Sequence, residues 1–174
     1  MSREKDFDIL IRLAANSDAA TIASILLRSF EEYRQSYTRK AFLETTLGIY
    51  KIKTRVYNKT IWVAVLDDTI CGTISLVPDG NTLHIKSVAV TPSARRRGLG
   101  KEMMKHAESI ALKRGFHFLE LTTTPFLHEA IKLYEGFGFT THGHKDLYGT
   151  PLIRMVKNLK PTTFPLNKSV HVFQ

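Results

Sequence analysis

Residues 86–101, Lys86-Ser87-Val88-Ala89-Val90-Thr91-Pro92-Ser93-Ala94-Arg95-Arg96-Arg97-Gly98-Leu99-Gly100-Lys101, allow few local structures, and the rest of the chain must be built around them. Val88 and Val90 are strand formers, and Pro92-Ser93 ends the strand. From Leu99 the apolar residues Leu99, Met103, Ala107, Ile110 and Ala111 recur on one helical face. Gly98 and Gly100 therefore fall where a helix begins. A helix N-terminus carries unpaired N–H groups and a partial positive charge, so it attracts phosphate. Glycine lets that backbone approach an anion closely, and three consecutive arginines add charge beside it.

Two phosphate-binding motifs are excluded. A P-loop needs Gly-x-x-x-x-Gly-Lys-Ser/Thr, but Gly100-Lys101 is followed by Glu102 and position 95 is arginine. The dinucleotide fingerprint needs Gly-x-Gly-x-x-Gly, and Met103 occupies the third glycine position. What remains is Arg95-x-x-Gly98-x-Gly100 after Val88-Ala89-Val90-x-Pro92, with Leu133-Tyr134-Glu135-Gly136-Phe137-Gly138-Phe139 downstream. Taken together these segments resemble the GNAT superfamily of N-acetyltransferases, whose acyl-CoA signature is Gln/Arg-x-x-Gly-x-Gly/Ala.

Composition bounds the reading. The chain has 174 residues, 43% hydrophobic and 24% charged, which suits one soluble domain with its own core. No apolar run reaches the ~18 residues of a membrane span, and the N-terminus lacks the apolar region of a signal peptide. The single cysteine, Cys71, has no intrachain partner and lies in an apolar segment as a small core residue. A cytoplasmic location is the default. The net charge of +9 is uneven: residues 1–50 hold seven basic and seven acidic residues, so the whole excess lies downstream. Such an excess suits a nucleic acid, a phosphorylated cofactor or simple solubility; no zinc-finger, RRM or KH signature favours the first.

In chain order, Phe7, Ile9, Ile11 and Leu13 alternate with Asp8 and Arg12 as a half-buried strand. Asn16-Ser17-Asp18 offers helix caps, followed by the stripe Ile22, Ile25, Leu26, Phe30 and Tyr33. A second helix is expected from about Thr38, with Leu43, Leu47, Tyr50 and Thr54 on one face. Ile61–Leu66 and Ile70–Val77 form a hairpin about Asp67-Asp68. Leu83 to Val90 leads into the central stretch, and its apolar residues change parity, from Leu83 and Ile85 to Val88 and Val90. That switch reads as a β-bulge near Ser87 or as a strand buried on both faces. After the helix of 99–114, capped by Gly115, come a strand over 116–122, expected to be parallel, and a helix with Leu127, Ala130, Ile131 and Tyr134 on one face. Residues 139–144 and 152–159 form a closing pair about a loop with Gly149 and Pro151.

The resemblance covers about residues 7–159 and implies the GNAT fold. This is an α/β (α+β) architecture with a mixed, mostly antiparallel sheet of about seven strands, splayed between two central parallel strands and flanked by about four helices. One domain over 1–174 is expected, with 160–174 as a C-terminal arm. The resemblance favours the bulge, because members splay two strands there to admit the pantetheine arm. It implies acetyl-CoA as co-substrate, bound by Val88, Ala89 and Val90 and by Arg95, Arg96, Arg97, Gly98, Leu99, Gly100 and Lys101, with direct acetyl transfer to the primary amine of a small-molecule, peptide or protein acceptor and no metal. Tyr134 matches a tyrosine that serves as general acid toward the thiolate; its other reading is a core residue. His84 stands where histone-modifying members carry a glutamate base; a histidine can do base work near neutral pH, or be a surface strand residue. Glu31 and Glu32 could face the acceptor. Leu127 departs from a family asparagine, a role open to Thr123, Thr124 or His128, and Lys86 replaces a frequent acidic residue. The alternative to an enzyme is a non-catalytic acyl-CoA-binding or nucleic-acid-binding module using the basic surface. The expected partners are acetyl-CoA and an amine acceptor, without membrane or nucleic acid; a homodimer is compatible with the sequence.

Overall fold

The computed structural model describes residues 8–159. Phe7 and the expected arm of 160–174 lie outside the described residues. The elements run β1 (Ile9–Leu13), α1 (Ala19–Phe30), α2 (Arg39–Thr45), α3 (Ile49–Tyr57), β2 (Ile61–Leu66), β3 (Thr69–Asp79), β4 (Thr82–Val90), α4 (Leu99–Lys113), β5 (Phe118–Thr123), α5 (His128–Gly136), β6 (Thr140–Leu147) and β7 (Thr150–Asn158). Short 3-10 turns flank α1 and follow β4. The seven strands make one sheet in the order β1-β2-β3-β4-β5-β7-β6. Every pair is antiparallel except β4–β5. The splayed, mixed sheet and its parallel centre agree with the expectation.

Periodicity places the layers. On one face, Leu99, Met103, Ala107 and Ala111 of α4 pack with Trp62, Ile74, Leu83, Ile85, Leu119 and Leu121, and Tyr134 of α5 joins the same cluster. On the other face, Ile22, Ile25 and Leu26 of α1 and Ile52 of α3 pack on Ile61, Val63 and Ala89. Helix α4 ends as expected: Gly115, at φ +75°, bonds back to Leu112 at 3.2 Å and Phe116 to Ala111 at 2.9 Å, closing the left-handed cap that glycine favours.

The parity switch in β4 is a bulge. Thr73 pairs with Ala89 and Ser75 with Lys86, so Ser87 and Val88 together oppose Ile74. Ser87 sits at φ +51°, which rotates the strand by one residue. Leu83 and Ile85 before it, and Val88 and Val90 after it, consequently reach the same α4-side core, while Ala89 joins the opposite one.

Two expectations need correction. The helix expected from Thr38 is two helices, and of its proposed face only Leu47 is buried: Leu43, Tyr50 and Thr54 are exposed, while Ala41, Phe42 and Ile52 are buried instead. Gly48, extended at φ −73° and ψ 162°, caps α3 and breaks the register, so a stripe read across it follows no single helix. The closing pair is also longer than expected. β6 and β7 meet at a two-residue turn, Tyr148-Gly149, both at positive φ, and Pro151 lies in β7 opposite Asp146 rather than in a loop.

Candidate active site

Ladder pairing between β4 and β5 runs from Thr82↔Phe118 to Ile85↔Leu121 and stops there. Beyond Ile85 the β5-facing edge of β4 has no strand partner, because the bulge turns β4 away. The strands part, and a cavity of about 940 Å³ passes through the sheet between them. Its volume lies in the range of small-molecule and cofactor sites.

One mouth of the cavity is the start of α4. Gly98 sits at φ +87° as the residue before the first helical turn, and no side chain caps the helix. The first helical bond is Glu102 N–H to the Gly98 carbonyl at 3.0 Å, so the N–H groups of Leu99, Gly100 and Lys101 have no helical acceptor. Arg96, at φ +62°, makes a second left-handed step just before. Alternating steps of this kind turn successive N–H groups toward one point and form an anion cradle. Gly100 is tight in its own right: a Cβ there would stand 3.1 Å from Leu133 Cδ2.

The structure brings most of the expected cofactor residues together. Residues 88–90 and 98–101, with Arg95 and Arg96, all line the cavity; Arg97 is not among the lining residues. Arg95 has other partners besides the cavity. Its Nη1 donates to Glu32 and its Nη2 to the Ser29 carbonyl at 3.0 Å, while Ser29 Oγ donates to the Val90 carbonyl at 3.0 Å. These bonds lock the end of α1 to the end of β4. Glu32 is thereby committed to Arg95, and Glu31 to Arg34.

Tyr134 lies on α5 against the cavity, 6% exposed and packed near Phe139. Its hydroxyl has no hydrogen-bond partner among the described residues. Burial, and next the nearby Tyr37, push this phenol well above its ordinary pKa, so it is a proton donor throughout the neutral range. Tyr37, from the segment after α1, lines the same cavity and is likewise raised, chiefly by burial. Sequence reasoning missed Tyr37, which no local motif marks; only the fold brings it near Tyr134.

His84 takes a different position. It is not among the lining residues. Its ring stands on the polar face of β4, with Nε2 3.7 Å from Asp79 and Nδ1 4.0 Å from Glu120. Glu120, 7% exposed, is held by Arg154 through bonds of 2.8 and 2.6 Å. That contact holds its carboxyl below the usual range, with desolvation opposing.

Leu127 precedes α5 and lines the cavity, and so do Thr123 and Thr124, whereas His128 does not. The Thr124 hydroxyl is buried near that of Tyr37 without forming a hydrogen bond. Such a group suits a ligand that supplies a partner. Cys71 is outside the lining, in the part of β3 that carries its own irregularity opposite Ala64 and Val65. Among the described residues no three histidines, cysteines or carboxylates are grouped to hold a metal, and no helix is long and apolar enough to cross a membrane.

Comparison with known proteins agrees with this fold. The model of the acetyltransferase (GNAT) family matches residues 20–139. The chain is 29% identical over 147 residues to a protein described as probable N-acetyltransferase 14 from Xenopus tropicalis, covering 83% of this chain and 69% of that one. It is 28% identical to the uncharacterized N-acetyltransferase YhfO of Bacillus subtilis, over 74% and 88% of the two chains. Among solved structures, the PaiA N-acetyltransferase of Thermoplasma acidophilum in complex with coenzyme A superposes with a TM-score of 0.74 at 20% identity, over 87% and 99% of the chains. A putative acetyltransferase of Salmonella typhimurium with its cofactor acetyl-CoA gives 0.70 at 20% identity, over 91% and 98%. With its middle two-thirds matched by the family model and its relatives described as N-acetyltransferases, this chain belongs to the GNAT family and is an acetyltransferase enzyme.

Proposed function

We propose that the protein transfers an acetyl group from acetyl-CoA directly to a primary amine while both are bound. The observation that carries this reading is the uncapped start of α4 opening onto a cavity that traverses the sheet at the parted β4 and β5. The residues present fit the cofactor. The N–H groups of Leu99, Gly100 and Lys101 would hold the pyrophosphate, with the Arg96 and Lys101 side chains beside them. The unpaired β4 edge over 88–90 would hold the pantetheine and acetyl carbonyl. Acetyl-CoA supplies a thioester-activated acetyl group and a thiolate leaving group.

The remaining roles belong to the protein. A backbone N–H on the freed edge of β4 polarises the carbonyl as charge develops on its oxygen. Tyr134, kept protonated by burial, donates its hydroxyl hydrogen toward the departing sulfur. Thr124, whose buried hydroxyl is without a hydrogen-bond partner, takes the polar role of the asparagine that Leu127 replaces. His84 is proposed as the proton acceptor through water, since its ring lies outside the cavity lining. A covalent acyl-enzyme has no support, because Cys71 lies away from the cavity. A cytoplasmic location and a single domain over 1–174 complete the proposal.

The test is a panel of amines incubated with acetyl-CoA and read by release of free thiol. Turnover with any amine, linear in enzyme, supports the reading. Salt-sensitive binding to nucleic acid with no acetyl-CoA binding would replace it by the module alternative.

A further inference from the structure

One cavity side chain has no part in the chemistry above. Arg55 lies two residues before the end of α3 and lines the cavity, half-buried. Its Nη1 donates to Ser75 Oγ at 2.9 Å and to Ser87 Oγ at 2.8 Å. Both acceptors are neutral hydroxyls. Of the other charges at the cavity wall, Arg95 takes Glu32, Lys132 takes Glu129 and Glu44 takes Lys51, while Lys86, Arg96 and Lys101 are exposed to solvent. Arg55 has no carboxylate within ion-pair distance among the described residues. Its Nε and Nη2, which carry three of the five guanidinium donors, have no hydrogen-bond partner among them either. Desolvation already disfavours its charge. A half-buried cation without a counter-ion is costly unless one arrives with a ligand.

The position of Arg55 says which ligand brings the anion. The cofactor's phosphates have their own cradle at the start of α4, on the opposite face of the sheet. Arg55 comes from the α1–α3 face and grips Ser87, the bulge residue where the strands part. Phe30, Tyr33 and Tyr37 line the same cavity together with Leu147 and Leu152. Phe126 packs behind these rings, 6.0 Å from Tyr33 and 5.0 Å from Tyr37 between centroids. We propose that Arg55 binds the carboxylate of the acceptor, making this an acetyltransferase for amines that carry a carboxylate on an apolar body, of which an apolar α-amino acid is the simplest. The inference rests on the acetyl-transfer reading above.

Holding the bulge needs only one nitrogen, which a lysine can supply. Gripping a carboxylate through two parallel bonds needs the planar fork. Arg55→Lys therefore separates a clamp from a binding group. The experiment measures thiol release with matched pairs, phenylalanine against phenylalaninamide and leucine against leucinamide, in the wild-type protein and in Arg55→Lys and Arg55→Gln. The carboxylate member is expected to have the lower KM by about 10–100-fold, the worth of a charge-assisted contact. Both substitutions should erase that preference by raising KM for the carboxylate member, with little change in kcat, in acetyl-CoA affinity or in the kinetics of the amide. A parallel calorimetric titration of the CoA-loaded protein with N-acetylphenylalanine and its amide gives the same ranking without catalysis. Equal KM values for the pair, equal or absent binding of acid and amide, or undiminished preference in Arg55→Lys would overturn the proposal. Failure of acetyl-CoA itself to bind would instead sink the acetyl-transfer reading.

Discussion

The two ends of the cavity are made of different material. The α4 end presents backbone: Gly98 and Arg96 at positive φ, and three N–H groups without helical acceptors. The α1–α3 end presents side chains gathered from distant stretches: Tyr33 and Tyr37 after α1, Arg55 from α3, Leu147 and Leu152 from the β6–β7 hairpin. A backbone site is fixed by the turn and helix that form it and cannot be changed without changing them. A side-chain site can be rewritten one residue at a time on an unaltered sheet. The difference suits a protein that keeps one co-substrate constant and lets the other be selected.

The most damaging way to break this division is Gly100→Glu. The new carboxylate would enter the cradle, and its Cβ would press on Leu133. Two or more charge-assisted bonds, each worth roughly 1.5–3 kcal/mol, would be opposed. Acetyl-CoA affinity should therefore fall by about 100-fold or more, while circular dichroism and the melting temperature stay near wild type. Unchanged affinity would place the phosphates elsewhere.

Tyr134→Phe sits where the two ends meet. The ring keeps its packing against Phe139 and only the hydroxyl is lost. General acid steps contribute about 10²–10⁴-fold; part survives because water can also donate. kcat should drop at least about tenfold with acetyl-CoA affinity unchanged. Equal kcat under conditions where chemistry limits the rate would return Tyr134 to the core.

The same contrast decided what could be read in the sequence. The backbone end was legible because it is local: two glycines after a strand and before a helical stripe define the turn, the helix start and the charge. The bulge was legible too, through the shift from Leu83 and Ile85 to Val88 and Val90, although only the pairing of Thr73 and Ser75 distinguishes it from a doubly buried strand. The α1–α3 end was not legible. Gly48 hid the division of α2 from α3, and Leu43 and Tyr50, expected inside, are exposed. Arg55 gave no signal, since the hydroxyls that hold it lie 20 and 32 residues away. His84 matched a position in a pattern, yet its side chain faces Asp79 and Glu120 across the polar side of the strand.

Glu120 sharpens the comparison through stability. Its pair with Arg154 ties β5 to β7, the strand that carries Leu152. The native carboxyl lies below its ordinary value, so its stabilising contribution is complete above about pH 4.3, the unfolded reference, and is lost as pH falls through the native value. Arg154 is partly exposed, so solvent screens the pair and Glu120→Gln should lower the melting temperature only modestly at neutral pH. Melting temperature measured from pH 7 to 3 should fall less steeply in the variant than in wild type. Acetyl-CoA affinity at neutral pH should not change; a loss would mean that the two ends are not independent.

The smallest effect is expected from His84→Ala. A histidine acting through water should give a few-fold loss of kcat with acetyl-CoA binding intact, below the ~10²–10⁴-fold range of directly positioned general bases. An unaltered kcat and pH–rate profile would leave His84 a surface residue of β4.

Calorimetric titration with acetyl-CoA, paired with thermal melts of the same samples, tests the central claim most directly. If the start of α4 is a cofactor cradle, one molecule should bind per chain. At about 100 times the dissociation constant the folded state should gain roughly 2.7 kcal/mol, seen as a higher melting temperature that Gly100→Glu abolishes. No heat of binding and no shift in the wild-type protein would contradict the account.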